Sequence, residues 1–298
     1  MEWKENLISL YLYISENKAI KNYLRSVRQS NNNIQEFTDE EAMTIYLYGI
    51  QNKYAKVKDI YQYTKRHLGS WFPKLPSYQA FDNRLNTIGG VFTILIHELI
   101  SQGVSGLDFF SESVLDSMPI IVAGNRRSSV ACAANDICDK GFCSSKGMYY
   151  YGLKIHLLGF VRPGTIPMPE QCGVTGASEN DLTVARPLLE GVYNRKIYAD
   201  KIYIDHDFNL QLEKQNNSTI ITPIKKQKGQ KFEDAADNFF SKAVSAVRQP
   251  IESFFNWLNE KTQMQNATKI RSSKGLLVHV WGKMAAALCS ICLTIFNP

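Results

Sequence analysis

After Gly106 the hydrophobic pattern of this chain changes period, and that change limits the architectures open to it. Before that point the apolar residues recur at helical spacing. Thr38 or Asp39 can cap a helix through EEAMTIYLYGI, whose acids fall in the first turn, where the helix dipole favours them. A second helix is expected in VKDIYQYTKRHL, ending near Gly69. The segment SWFPKLP breaks the pattern, and Ser77 opens a third helix, YQAFDNRLNTIGGVFTILIHELIS, loosened midway by Gly89 and Gly90. Helices of this size with short breaks form either a plain bundle or a helix-turn-helix DNA reader.

Beyond Gly106 the texture is that of strands. SVLDSMPIIVA is a short apolar run rich in branched residues, and GMYYYGLKIHLLGF reads as an aromatic strand. TIPMPEQCGVT pairs with it through the Arg-Pro-Gly turn at 162–164. Next come a helix in NDLTVARPLLEG capped by Asn180 or Asp181, a buried strand in KIYAD, a helix in DHDFNLQLEKQ and a strand in TIITPI. From Phe232 the chain is expected to be helical to its end, apart from a break near Ser272. Hairpin strands followed by alternating strands and helices describe a mixed α/β sheet flanked by helices. The expected division is an all-helical domain over residues 1–108 and an α/β domain over 109–298.

Composition narrows the partners. The net charge of +6 favours polyanions if the charge is clustered. Lys225, Lys226, Lys228 and Lys231 follow the last strand, Arg126 and Arg127 follow the first, and Lys146 precedes the second. Each group is either solvated surface or a contact for a phosphate backbone. The N-terminus lacks the basic start of a secretory signal, and MAAALCSICLTIF is too short to span a bilayer. A cytoplasmic protein without a membrane partner is expected, with that last segment a helix buried against the sheet. Cys132, Cys138 and Cys143 lack the paired spacing of a structural zinc site, so no role is assigned to them, and Cys289 and Cys292 read as small core residues.

Three acids stand out. Asp116 lies within VLDSMPII and Asp200 ends the apolar run IYA; a carboxylate there is solvated, paired or metal-bound, because burying it alone is costly. On the late helix Phe240, Val244, Val247, Ile251, Phe254 and Leu258 make one apolar stripe, and Ser245, Arg248, Glu252, Asn256 and Asn259 run beside it. Glu252 thus sits at the margin of the packed face. Arg248 precedes it by four residues, the weaker order for a helical ion pair, so a phosphate or another acid competes as its partner. Pro250 is expected to bend or restart this helix. Carboxylates converging from two strands and a helix suit Mg2+, with Mn2+ as an alternative, in a two-ion site with the ions about 4 Å apart. Asp205, Asp207 and Asp181 are explained as helix caps, and Asp136 and Asp139 lie in a loop with no strand around them. Lys154 and His156 alternate on one strand face, where they line the site or are ordinary strand residues.

The order VLDSMPI, YYYGLKIHLL, IYADKIY, RQPIESFFNWL, after a helical front part containing FTDEEAMTIYLYGI and FPKLPSYQAFDNRL, resembles the DDE transposases of bacterial insertion sequences, most closely insertion-sequence family 982. The resemblance spans nearly the whole chain. It implies an RNase H-like catalytic domain behind a helix-turn-helix-like module. Asp116, Asp200 and Glu252 match the catalytic, metal-binding triad, and Arg248 matches the arginine four residues before the glutamate. Relatives usually have Gly-Asp-Arg-Gly-Tyr where this chain has Ala-Asp-Lys-Ile-Tyr. Neighbouring families carry a tyrosine and a lysine where Ser245 and Asn259 stand, with Lys261 nearby. The function implied is Mg2+-dependent cleavage at terminal inverted repeats and strand transfer into target DNA, by a homodimer or larger assembly associated with the bacterial nucleoid. A nuclease without strand transfer, or a decayed DNA-binding protein, is the alternative.

Overall fold

A computed structural model describes residues 2–28, 35–105, 111–144, 146–225 and 234–296. In chain order the helices are α1 (Glu2–Glu16), α2 (Lys18–Ser26), α3 (Asp39–Gln51), α4 (Val57–His67), α5 (Tyr78–Ile88), α6 (Val91–Val104), α7 (Asp181–Leu189), α8 (His206–Asn216), α9 (Ala235–Thr262), α10 (Ser273–Leu277) and α11 (Lys283–Phe296). The strands are β1 (Glu112–Gly124), β2 (Asp139–Cys143), β3 (Met148–Phe160), β4 (Met168–Gly176), β5 (Lys196–Tyr198) and β6 (Thr219–Ile221). They divide between two compact units. A helical unit holds the described residues of Met1–Leu99, Leu258–Met264 and Ile270–Pro298; a sheet unit holds those of Ile100–Trp257 and Gln265–Lys269.

Local chemistry sets the helix starts of the helical unit. Thr38 and Glu41 close a capping box at the start of α3, each satisfying a backbone N–H of the other. Ser77 accepts from the Ala80 N–H at the start of α5. The single long helix expected from Tyr78 is two helices, bent by 58° between Ile88 and Val91. The glycines there have a packing reason: a side chain on Gly90 would collide with the Tyr23 hydroxyl, and one on Gly89 with Val278.

The C-terminal segment departs further from expectation. Ser273–Leu293 is one 21-residue helical run, passing through a π turn at Val278–Gly282. It is long and apolar enough to cross a membrane, yet most of it is buried. It packs on α3 in the helical unit rather than against the sheet: the Tyr46 hydroxyl donates to the Val278 carbonyl, and the Cys292 thiol reaches the Leu99 carbonyl. Cys289 and Cys292 are buried, as core residues. The two compact units therefore do not follow a single cut near residue 108.

In the sheet unit the strand path is β2-β3-β1-β5-β6, with β4 also paired to β3. β3 lies antiparallel to β1, β2 and β4, while β1, β5 and β6 run parallel. The short strand β2 corrects the expectation of a loop around Asp139. Asp139 opens it and fastens it by accepting from the Ser178 N–H and hydroxyl at 2.7 and 2.6 Å. One face of the sheet packs on α7 and α8 through Leu115, Leu158, Ala185, Leu189 and Ile197. Helix α9 runs unbroken through Pro250 and buries Val244, Ile251, Phe254 and Leu258; Phe240, expected in the stripe, is exposed.

Lys283 is buried in the helical unit, with the Gln263 carbonyl 3.3 Å away, and burial lowers its pKa from 10.5 to about 7. The unfolded lysine keeps its proton up to about pH 10.5, so between pH 7 and that value the folded chain binds fewer protons and gains stability as pH rises. Chemical denaturation across this window should show that rise, on the order of 1 kcal/mol per pH unit at most, and Lys283→Met should flatten it while stabilising the protein at neutral pH.

Candidate active site

Asp116, within β1, and Asp200, just past the end of β5, stand level on neighbouring parallel strands. The last β1–β5 pair is Val114 with Tyr198, and each aspartate lies two residues further on. Each carboxylate accepts the N–H of its own successor, Ser117 at 2.8 Å and Lys201 at 2.7 Å, so neither N–H is left unsatisfied. Asp200 caps the short 3-10 turn Lys201–Tyr203 that follows.

Helix α9 supplies the remaining groups. The Arg248 guanidinium donates one N–H to Asp116 Oδ2 at 2.8 Å and another to Glu252 Oε1 at 2.6 Å. Both competing partners named by the sequence, the i+4 glutamate and a distant acid, are therefore used at once. A planar fork with several fixed donors is preorganised to span two carboxylates in this way. Glu252 is half exposed, at the margin of the packed stripe, while Asp116 and Arg248 are mostly covered. Burial pushes the Asp116 carboxyl up to about 6; Arg248 and the Ser117 N–H draw it down, and Asp200 and Glu252 push it up again. That mutual repulsion puts the three acids within one electrostatic neighbourhood. Among the described residues no three His, Cys, Asp or Glu side chains are gathered closely enough to hold a metal ion. The guanidinium bridges two of the carboxylates instead.

The basic residues separate into distinct environments. Arg126 and Arg127 are exposed in the 3-10 turn Asn125–Ser129 after β1, and Lys225 is exposed after β6. Lys146 is exposed and donates to Gln265 at 2.7 Å. Lys226, Lys228 and Lys231 lie outside the described residues. Lys154 is largely covered, held by the Asp181 carboxylate at 2.8 Å and the Glu179 carbonyl at 2.9 Å. His156 is buried, with Nε2 2.9 Å from the Thr175 hydroxyl, and burial lowers its pKa to about 4, leaving it neutral near pH 7. Neither Lys154 nor His156 is thus a free surface contact. Their strand parity puts them with Ser117 and Leu158, on the α7 side and opposite Asp116, which is the reason.

Asp181, expected as a helix cap, has another role. Asn180 caps α7, which leaves the Asp181 carboxylate to neutralise Lys154 and approach His156 Nδ1 at 3.8 Å. Asp205 is the cap of α8 as expected. None of the six cysteines forms a disulfide, and burial pushes Cys138 and Cys172 up to about 12, so neither is a ready thiolate ligand.

Comparison with protein families decides the matter: the pattern described as transposase DDE domain matches residues 109–273, more than half of the chain. The chain belongs to this transposase DDE family. Asp116, Asp200, Arg248 and Glu252 all lie inside the matched stretch. Membership implies a transposase or nuclease enzyme whose partner is DNA. A search of curated proteins found no match.

Removing Arg248 should leave the Asp116 carboxylate covered and unpaired, which is costly only while it is ionised. Arg248→Met should therefore destabilise the protein by about 2 kcal/mol near pH 8 and by much less near pH 5, below the Asp116 midpoint, with Asp116→Asn in the same chain relieving the loss. Thermal unfolding at the two pH values checks this.

Proposed function

We propose that this DDE-family chain is an insertion-sequence transposase, similar to those of family 982. It cleaves DNA at the ends of its element and transfers the exposed 3′ hydroxyls to target DNA. The observation that carries the reading is the arginine bridge: acids far apart in sequence come into one electrostatic neighbourhood, and a single cation neutralises two of them. The strand path β4-β3-β1-β5-β6, with β4, β3 and β1 antiparallel in turn and β5 and β6 parallel to β1, supports an RNase H-like fold.

The donor set fits hard divalent cations, since Asp116, Asp200 and Glu252 offer only carboxylate oxygens. These residues would hold Mg2+ or Mn2+, as a pair of ions. When bound, such ions make an oxygen nucleophile available near neutral pH and offset charge on the displaced phosphodiester oxygen. The rest falls to the chain itself. Asp116 must be ionised to serve as a ligand, and its partial burial fixes its direction. Arg248 neutralises Asp116 and Glu252 in the resting protein; once another cation takes that role, its two-pronged donor suits a phosphate. The buried set of Lys154, Asp181, His156 and Thr175 ties β3, β4 and α7 together behind the acids. Arg126, Arg127, Lys146 and the lysines from 225 onward act on the DNA backbone. The N-terminal helices read the element ends, and two copies handle the two ends together.

The test is incubation of the purified protein with labelled inverted-repeat ends, Mg2+ and a target plasmid. Nicked ends and joined products are expected, and Asp116→Ala should abolish both while retaining end binding. Cutting without joined products would reduce the protein to a nuclease, and binding without any metal-dependent cleavage would leave only a DNA-binding scaffold.

A further inference from the structure

The hairpin of β2 and β3 presents two different faces. One carries Cys143, Tyr150 and Met148 and packs on Ala177 and Ile121 as a small core. The other should be polar where nothing covers it, because alternation sends every second residue outward. It carries Lys140, Phe142 and Tyr149 instead. Phe142 and Tyr149 are direct cross-strand partners with ring centroids 5.0 Å apart, and they remain 54% and 56% exposed. The Lys140 ammonium stands 4.9 Å from the centre of the Tyr149 ring. Cross-strand pairing accounts for the contact between the rings, but not for leaving both open to water.

The surroundings are basic. Lys146 lies in the turn that joins the two strands, and Arg126 and Arg127 follow Gly124, which is paired with Tyr150. Of the acids nearby, Asp139 is held by Ser178, and Asp136 lies beside Tyr151. The position along the sheet matters as well. Leu157 is the partner of Asp116 on β3, and Tyr149 lies eight residues from Leu157, an even number, so the ring pair shares the sheet face of Asp116. At about 3.3 Å per residue the platform is about 26 Å from that carboxylate, roughly eight base pairs of DNA.

From the exposed ring pair, its cationic rim and its place on the Asp116 face, we infer that the β2–β3 hairpin is a base-stacking platform for unpaired DNA. Phe142 and Tyr149 take bases against their rings, while Lys140, Lys146, Arg126 and Arg127 hold the phosphates on either side. Aromatic faces accept any base, and clustered cations follow the backbone, a combination suited to single strands rather than to a closed duplex. This rests on the reading of the chain as a DNA-acting enzyme and adds a strand state and two residues to it.

Fluorescence anisotropy of the full chain with a labelled oligothymidylate of about 16 nucleotides, beside a duplex carrying an element end, tests the assignment. Phe142→Ala with Tyr149→Ala should weaken oligothymidylate binding by about tenfold for each ring and leave duplex affinity unchanged. Phe142→Trp with Tyr149→Trp should restore it, with indole fluorescence quenched on binding. Unaltered oligothymidylate affinity in the alanine variant overturns the platform. So does an equal loss on both DNAs, or a smaller assembly in sedimentation, which would make the pair a contact between copies. If the unaltered protein binds neither DNA, the DNA-acting reading itself fails. Because both rings are exposed, the alanine variant should match the unaltered chain in thermal unfolding.

Discussion

One guanidinium governs the site. Asp116 is repelled by Asp200 and Glu252, and a folded chain tolerates this only if something positive stands among them. Arg248 meets that need by reaching Glu252 one turn along its own helix and Asp116 132 positions away in sequence. The contact to Asp116 also orients α9 on the sheet: Ile251 and Phe254 face inward because Arg248 and Glu252 occupy the rim. Charge balance among these carboxylates and helix packing are thus solved by the same few residues, which explains why a carboxylate is placed so close to an apolar seam.

A guanidinium bound to two acids is also a competitor. Any divalent cation drawn to Asp116 and Glu252 must replace two charge-assisted hydrogen bonds, and a phosphate arriving at the same time gives the displaced arginine a new anion. Metal and nucleic acid would then favour each other's arrival without any movement of the sheet. On the opposite face the buried neutral imidazole of His156 and the Lys154–Asp181 pair tie β3 to β4 and α7.

Much of this was legible in the sequence because it rests on local chemistry. Thr38 with Glu41, Ser77, Asn180 and Asp205 mark helix starts through hydrogen bonds made within three residues. The long apolar runs of β1 and β3 announce themselves by composition. Helical spacing alone puts Arg248 beside Glu252; that its second partner is Asp116, rather than a phosphate or another acid, is a tertiary contact the sequence leaves open. What stayed hidden depends on tertiary context. DKGFC carries a glycine and two charges and gives no strand signal, yet it pairs because Gly141 lets the Ala177 carbonyl come close. The charge pairing of Lys154 could not be read until Asn180, rather than Asp181, was known to cap α7. No periodicity says that α11 packs on α3, since an apolar helix is equally at home against helices or a sheet.

The pairing of α11 with α3 has a consequence for how the molecule is made. Helix α3 is made before the sheet and α11 after it, so the helical unit lacks a wall of its core until the whole sheet has been translated. Closing contacts across such a span are slow to form, and a chain truncated before α11 would carry its defect in helices far upstream of the break.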